Sequence, residues 1–193
     1  MSKADGTMAL GKVRKRRCPC GQYFVPRNTM QVAHCIEGAR IVAERKMAAE
    51  VRRNIKLRKE RLKTRSDWIK EAQGAFNAYI RERDKDQPCI CCGELLGKES
   101  IGGGFDCGHY RSIGSAPHLR FDERNAHGQR KKCNRWGAGR AVDYRLGLIQ
   151  RIGLEAVQSL ESAQAHAKWT IDDLKAIKAR YKAKLKELKA CND

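Results

Sequence analysis

The chain has 193 residues and a formal net charge of +19, from 41 Lys and Arg against 22 Asp and Glu. That excess points to a polyanionic partner, nucleic acid ahead of a membrane surface, because each neutralised phosphate releases condensed counterions. No apolar run approaches the ~20 residues of a bilayer span and no apolar segment of a secretion signal opens the chain, so a cytoplasmic protein without a membrane partner is expected.

Nine cysteines in such a chain favour metal ligation over disulfides. Eight fall in two groups, Cys18, Cys20 and Cys35, then Cys89, Cys91, Cys92, Cys107 and Cys133, with Cys191 alone in the tail. The expected fold is α+β and mostly helical. Four regions are expected: a basic arm with a cysteine module over 1–37, a long basic helical region over 38–86, a compact cysteine- and glycine-rich module over 87–140, and a helical region over 141–193.

Residues 1–11 lack periodicity, and "KVRKRR" follows as a basic run. "CPCGQYFVPRNTMQVAHC" is turn-rich and offers Cys18, Cys20, His34 and Cys35 as a second candidate zinc set. Its near-adjacent ligands chelate less favourably than C-x-x-C pairs, and a hydrophobic turn around Tyr23 and Phe24 is the alternative. From Gly38 to Arg83 the sequence is rich in helix formers and free of proline. The first half is strongly basic with sparse apolar positions. Arg52, Arg53, Lys56, Arg58, Lys59 and Arg61 are expected along a DNA backbone, with a solvated arm as the alternative. In the second half Trp68, Ile69, Ala72, Phe76, Tyr79 and Ile80 form a stripe that should face a core. Ser66 is read as the N-cap of a fresh helix and Pro88 as its terminator.

Beyond the central module, "AVDYRLGLIQRIG" and "LEAVQSLESAQAHA" read as two amphipathic helices punctuated by Gly153. "TIDDLKAIKARYKAKLKELK" reads as a last helix, opened by a capping box of Thr170 and Asp173. The helices around 66–83 and 170–189 are expected to supply the interface of a homodimer. His118 and His166 read as structural residues.

The central module carries the chemistry, in "FDCGHYRSIGSAPHLRFDERNAHGQRKKCN". Phosphodiester hydrolysis needs a base, a divalent cation, a rigid support and positive charge. His109 can be the base. Asp106 and Asn134 offer hard oxygen ligands for Mg²⁺ or Mn²⁺. Asn125 can pin the loop presenting His109, with an amide that both donates and accepts. Arg111, Arg120, Arg124, Arg130 and Lys131 supply charge for DNA. Cys89 and Cys92, a C-x-x-C turn, join Cys133 in a candidate zinc knuckle.

His109, Asn125 sixteen residues on and Asn134 nine further resemble the series of the HNH, or ββα-metal, nucleases, in which two short strands and a helix surround a divalent cation. "GHYRSIGSAPHLRFDERNAHGQ", "DWIKEAQGAFNAYIRERD", "YRLGLIQRIG" and "KWTIDDLKAIKARYKAKL" resemble the NinG/Rap recombination proteins of lambdoid phages. This likeness spans nearly the whole chain, with unrelated segments agreeing in order. The resemblance implies a ββα-metal, zinc-braced module and an endonuclease acting on branched double-stranded DNA, Holliday junctions and D-loops, alongside other phage recombination proteins. It makes His109 the general base, Asn134 a helix-borne metal ligand and Asn125 the loop anchor.

The sequence departs from that pattern in two places. Gly108 stands where an acid often precedes the base, leaving Asp106 three residues back. Arg130 stands where a second C-x-x-C would begin, leaving three thiolates, with His127 chosen as the fourth zinc ligand. A decayed site in a DNA-binding protein, or a recombination scaffold, is the alternative function.

Overall fold

The computed structural model describes residues 14–97, 104–136, 140–165 and 168–191. The opening segment and His166 lie outside the described residues. Two compact units divide the chain, Met1–Leu62 and Lys63–Asp193.

In the first unit β1 (Arg16–Arg17) and β2 (Tyr23–Phe24) pair antiparallel, Arg16 facing Phe24. They precede α1 (Ile36–Arg61), 26 residues long. Its N-cap is Cys35, whose sulfur accepts from the Gly38 amide at 3.3 Å. Gly38 is the one buried residue of α1 among those described. The basic half therefore has no core of its own, and Arg52, Arg53, Lys56, Arg58, Lys59 and Arg61 are all exposed.

In the second unit α2 (Arg65–Arg83) begins after three non-helical residues, Leu62, Lys63 and Thr64. Its cap is Thr64, not Ser66. Thr64 and Asp67 form the reciprocal capping box, and Ser66 falls inside the first turn. The helix ends at Arg83, five residues before Pro88, because Asp84 leaves the helix to accept buried hydrogen bonds from elsewhere.

Of the expected stripe Trp68, Ala72, Phe76 and Ile80 are buried and Ile69 and Tyr79 partly so; with Ala75 they pack against Leu174 and Tyr181 of α5 (Ile171–Ala190) and against Phe121 and Ala126. A fully buried side chain such as Phe76 contributes about 1.5–3 kcal/mol. Thr170 and Asp173 cap α5 as expected. The apolar faces offered above for a homodimer, on α2 and α5, are thus turned toward each other within one chain.

Between these helices lies an antiparallel hairpin of β3 (Phe105–His109) and β4 (Ala126–Arg130), in which Asp106 faces Gln129 and His109 faces Ala126. Its loop contains a short 3-10 turn, Pro117–Leu119. After β4 comes a five-residue π-helical turn, Lys132–Trp136, where an α-helix was expected to carry Asn134. α3 (Ala141–Ile152) and α4 (Leu154–Ser162) follow, separated by Gly153 at φ +85°, a conformation glycine adopts without a Cβ penalty. They build a second core of Ile90, Ala116, Leu119, Tyr144, Leu148, Val157 and Leu160. The fold is therefore mostly helical α+β with small two-stranded sheets. No helix among the described residues is long and apolar enough to cross a membrane.

Candidate functional site

The β3–β4 hairpin organises the site. Side chains alternate along a strand, so Cys107 and His109 share one face of β3 while Asp106 and Gly108 share the other. The contacts follow that division. The His109 ring lies 5.9 Å from Phe76 of α2, and its Nε2 is 3.1 Å from the Arg120 carbonyl. A carbonyl only accepts, so this contact places the ring proton on Nε2 and the lone pair on Nδ1. Burial lowers the His109 pKa below its ordinary 6.5. The Arg120 carbonyl opposes that shift, and the Arg120 charge reinforces it. The ring is thus neutral near pH 7 and carries a basic nitrogen.

Asn125 does what its amide suits it for. It is fully buried. Its Oδ1 accepts from the Arg111 amide at 2.8 Å, and its Nδ2 donates to the carbonyls of Arg111 at 3.0 Å and Leu119 at 3.1 Å. Three backbone groups of the hairpin loop are tied by one side chain, and the Arg120 carbonyl that touches His109 follows the last of them. Behind β3, the buried Tyr144 hydroxyl donates to the Gly108 carbonyl at 2.9 Å.

On the other face Asn134 Nδ2 donates to Asp106 Oδ2 at 3.1 Å. Arg135, not singled out in the sequence, forks across both Asp106 oxygens at 2.9 and 3.1 Å. Burial alone would raise the Asp106 pKa, but Arg135 and Asn134 outweigh it and hold the carboxyl below its ordinary value. The two residues read as oxygen ligands are therefore adjacent, and the acid is ionised. Gly108 has a steric cause. A Cβ there would meet Gln129 Oε1 at 2.1 Å, and the buried Gln129 side chain fills the space an acid would need. Asp106 serves the same strand face from two positions back.

The cysteines assemble into two groups. The ligand atoms of Cys18, Cys20, His34 and Cys35 lie within 4.8 Å of one another, as do those of Cys89, Cys92 and Cys133. Either group can hold a metal ion, and soft thiolates favour zinc. Gly38 makes room for the first, since a Cβ would meet Cys18 Sγ at 2.3 Å. The Tyr23–Phe24 alternative is half realised, with Phe24 buried against His34 at 5.6 Å and Tyr23 exposed. In the second group the Cys89 thiol is held down to about 4, first by the Cys91 thiol beside it, and against its own burial.

His127 does not join that second group. Its Nδ1 lies 3.1 Å from Arg83 Nη2 and its Nε2 lies 3.1 Å from the Arg124 carbonyl, so both ring nitrogens are engaged in a buried network around Asp84. Asp84 accepts from Arg83 at 2.6 and 2.9 Å and from the Gly128 amide at 2.7 Å. Arg130 borders this group: its amide donates to Cys89 Sγ at 3.4 Å, while its guanidinium pairs with Glu94.

The residues read as DNA contacts are more tethered than expected. Arg111 donates to the carbonyls of Leu160 and Glu161 at 3.2 and 2.7 Å, satisfying the C-terminal end of α4. Arg120 reaches Gln73 at 3.3 Å, and Arg124 pairs with Asp122 at 2.7 Å. Lys131 is half-buried and lies in the field of Asp106. His118 bonds the Ala163 carbonyl at 3.1 Å, in keeping with a structural role.

A family model described as "NinG: Bacteriophage Lambda NinG protein" matches residues 9–191. The protein called ninG of Escherichia phage 933W is 43% identical over 199 residues, covering 93% of this chain and 96% of that relative. The ninG proteins of Escherichia phage lambda and Salmonella phage P22 are 53% and 52% identical over 135 residues, covering 70% of this chain and 64% of each relative. No solved structure matches the chain.

Proposed function

The chain belongs to the NinG family of bacteriophage proteins, and we propose that it is a metal-dependent endonuclease that hydrolyses phosphodiesters in branched DNA during phage recombination. One observation carries the reading: His109, at the end of β3, is neutral and fixed through Nε2 to the Arg120 carbonyl of a loop that Asn125 ties at three backbone points. A loop held that tightly around a basic imidazole suits proton transfer from water to Nδ1, the role of a general base. A module that only bound DNA would gain nothing from it.

Asp106 and Asn134 are adjacent oxygen donors. The Arg135 guanidinium on Asp106 marks a place where positive charge is favoured. Arg135 is largely exposed and can move aside. This donor set fits a hard divalent ion such as Mg²⁺ or Mn²⁺. Such an ion, when bound, stabilises charge on phosphate oxygens. The hairpin module then corresponds to a ββα-metal site whose third element is a π-turn. Electrostatic hold on the strand falls to the exposed side chains, among them Arg124 and the basic row of α1.

The direct test is cleavage of a synthetic four-way junction with and without Mg²⁺ against a linear duplex of equal length. Mg²⁺-dependent nicking of the junction in preference to the duplex is expected. Binding without cleavage under any divalent cation would leave the decayed-site reading.

The cysteine groups are proposed as zinc sites that brace each unit. Purified protein should retain zinc after exhaustive dialysis, held more firmly by the four donors at Cys18, Cys20, His34 and Cys35 than by the three thiolates at Cys89, Cys92 and Cys133. Cys18→Ser should therefore remove the slower-exchanging fraction in a chelator competition assay. Folded protein free of zinc would eliminate both assignments.

A further inference from the structure

The last helix, α5, carries a charge pattern that its core contacts do not explain. Lys175, Lys178, Lys182, Lys186 and Lys189 follow one another at steps of three and four residues, which keeps them on one side of the helix. At 1.5 Å per residue the row is about 21 Å long. It runs beside the buried face of Leu174 and Tyr181, not through it.

The two flanks of that buried face are treated differently. On one, Lys184 and Arg180 meet Glu123 at 2.5 and 3.9 Å, and Lys184 lies 5.2 Å over Tyr79. That flank is locally neutralised. On the other, three ammonium groups crowd a single indole: Lys63, Lys178 and Lys175 lie 4.7, 5.1 and 5.5 Å over the Trp68 ring. Glu71 serves both Lys63 and Lys178, at 2.7 and 2.6 Å, and Lys175 shares the exposed Asp172. Further along, Lys182, Lys186 and Lys189 are without an ionic partner among the described residues. Other exposed cations on helices are paired within a turn, as at Arg40 with Glu44 and Lys85 with Glu82, and among the described helices only the basic half of α1 is comparably one-signed. A one-signed row costs self-repulsion unless a polyanion meets it.

The row also lies close to the hairpin. Tyr181 of α5 and His109 of β3 both contact Phe76, at 4.8 and 5.9 Å between ring centroids. Whatever the lysines hold is therefore placed by the same packed core that places His109.

We propose that Lys63, Lys175, Lys178, Lys182, Lys186 and Lys189 form a docking surface for the phosphate backbone of a duplex DNA arm, distinct from α1 and set on the unit that carries His109. The proposal deepens the nuclease reading and rests on it for the identity of the polyanion. A row of this length spans about a dozen duplex charges, at one per ~1.7 Å of axis. It would fix the register of one arm relative to the hairpin without reading sequence.

The test uses the full chain, in EDTA, with a fluorescent four-way junction and a series of salt concentrations. The triple variant Lys182→Ala, Lys186→Ala, Lys189→Ala removes only exposed side chains and keeps a strong helix former at each position. We expect its Kd to rise at least tenfold. The slope of log K against log salt should flatten by about 2 to 3, near 0.9 per lost contact. The matching triple variant to arginine should retain both values. An affinity and slope within error of the parent overturn the proposal and leave the row to an acidic protein partner or to solvent. Since binding is read without divalent metal, loss of affinity in a protein that never cleaves supports the docking surface and removes the nuclease reading. A parent protein that binds no DNA overturns both.

Discussion

His109→Ala will lower the single-turnover rate of junction cleavage by about 10²–10⁴-fold while junction affinity stays within a few-fold. Affinity comes from phosphate contacts spread over the basic surface, whereas the imidazole acts only on the chemical step. The parent protein should also show an acid limb in its pH–rate profile. Burial foremost depresses the His109 pKa, and the neutral ring is the active form. Activity is therefore full above the folded-state pKa and is lost as pH falls through it, at a midpoint below 6.5. A variant cleaving at the parent rate would remove His109 from the chemistry. An acid limb centred above pH 7 would assign the titration to another group.

Asn125→Ala will cost the protein about 3–5 kcal/mol of stability and most of its cleavage. The residue is fully buried, and its removal leaves the Arg111 amide and the Arg111 and Leu119 carbonyls without their partner. A buried polar group left unpaired costs about 1–3 kcal/mol. For a chain of this size that corresponds to a fall in Tm of very roughly 6–20 °C. Below the new melting point the variant should bind junctions normally and still cleave poorly, because the Arg120 carbonyl loses its fixed place beside His109. Calorimetry and single-turnover kinetics on the same preparation separate the two effects. Parent-like melting and parent-like rates would reduce Asn125 to a replaceable packing residue.

The sequence made some of this site readable and concealed the rest for physical reasons. Helix faces and caps are local, so the Trp68–Ile80 stripe and the Thr170–Asp173 box were legible. The start of α2 is ambiguous in the sequence because two hydroxyl residues, Thr64 and Ser66, stand two positions apart, and only the spacing to Asp67 separates them. The loop-tying role of Asn125 could be read from its chemistry, since few other side chains donate and accept in the same plane. His127 could not. Its partners Arg83 and Asp84 are more than forty residues away, and nothing local distinguishes a ring in a buried ionic network from a zinc ligand. Arg135 is hardly legible: its place one residue past a candidate oxygen ligand is its only local signal, and the acid it pairs with lies 29 residues away. Gly108 and Gln129 illustrate the same limit, each intelligible only once β3 and β4 are in register.

With only Gly38 buried along its 26 residues, α1 draws its order from hydrogen bonds within itself and from its sulfur-capped start. In proteins most helical stability comes from packing of an apolar face, which this helix has only at its start. Its solvated basic half should therefore open locally at low free-energy cost, which fast amide exchange along that half would show. Any polyanion laid along it would bind only the helical population. Occupancy and helicity then become one linked equilibrium, and the arm stiffens when it is loaded.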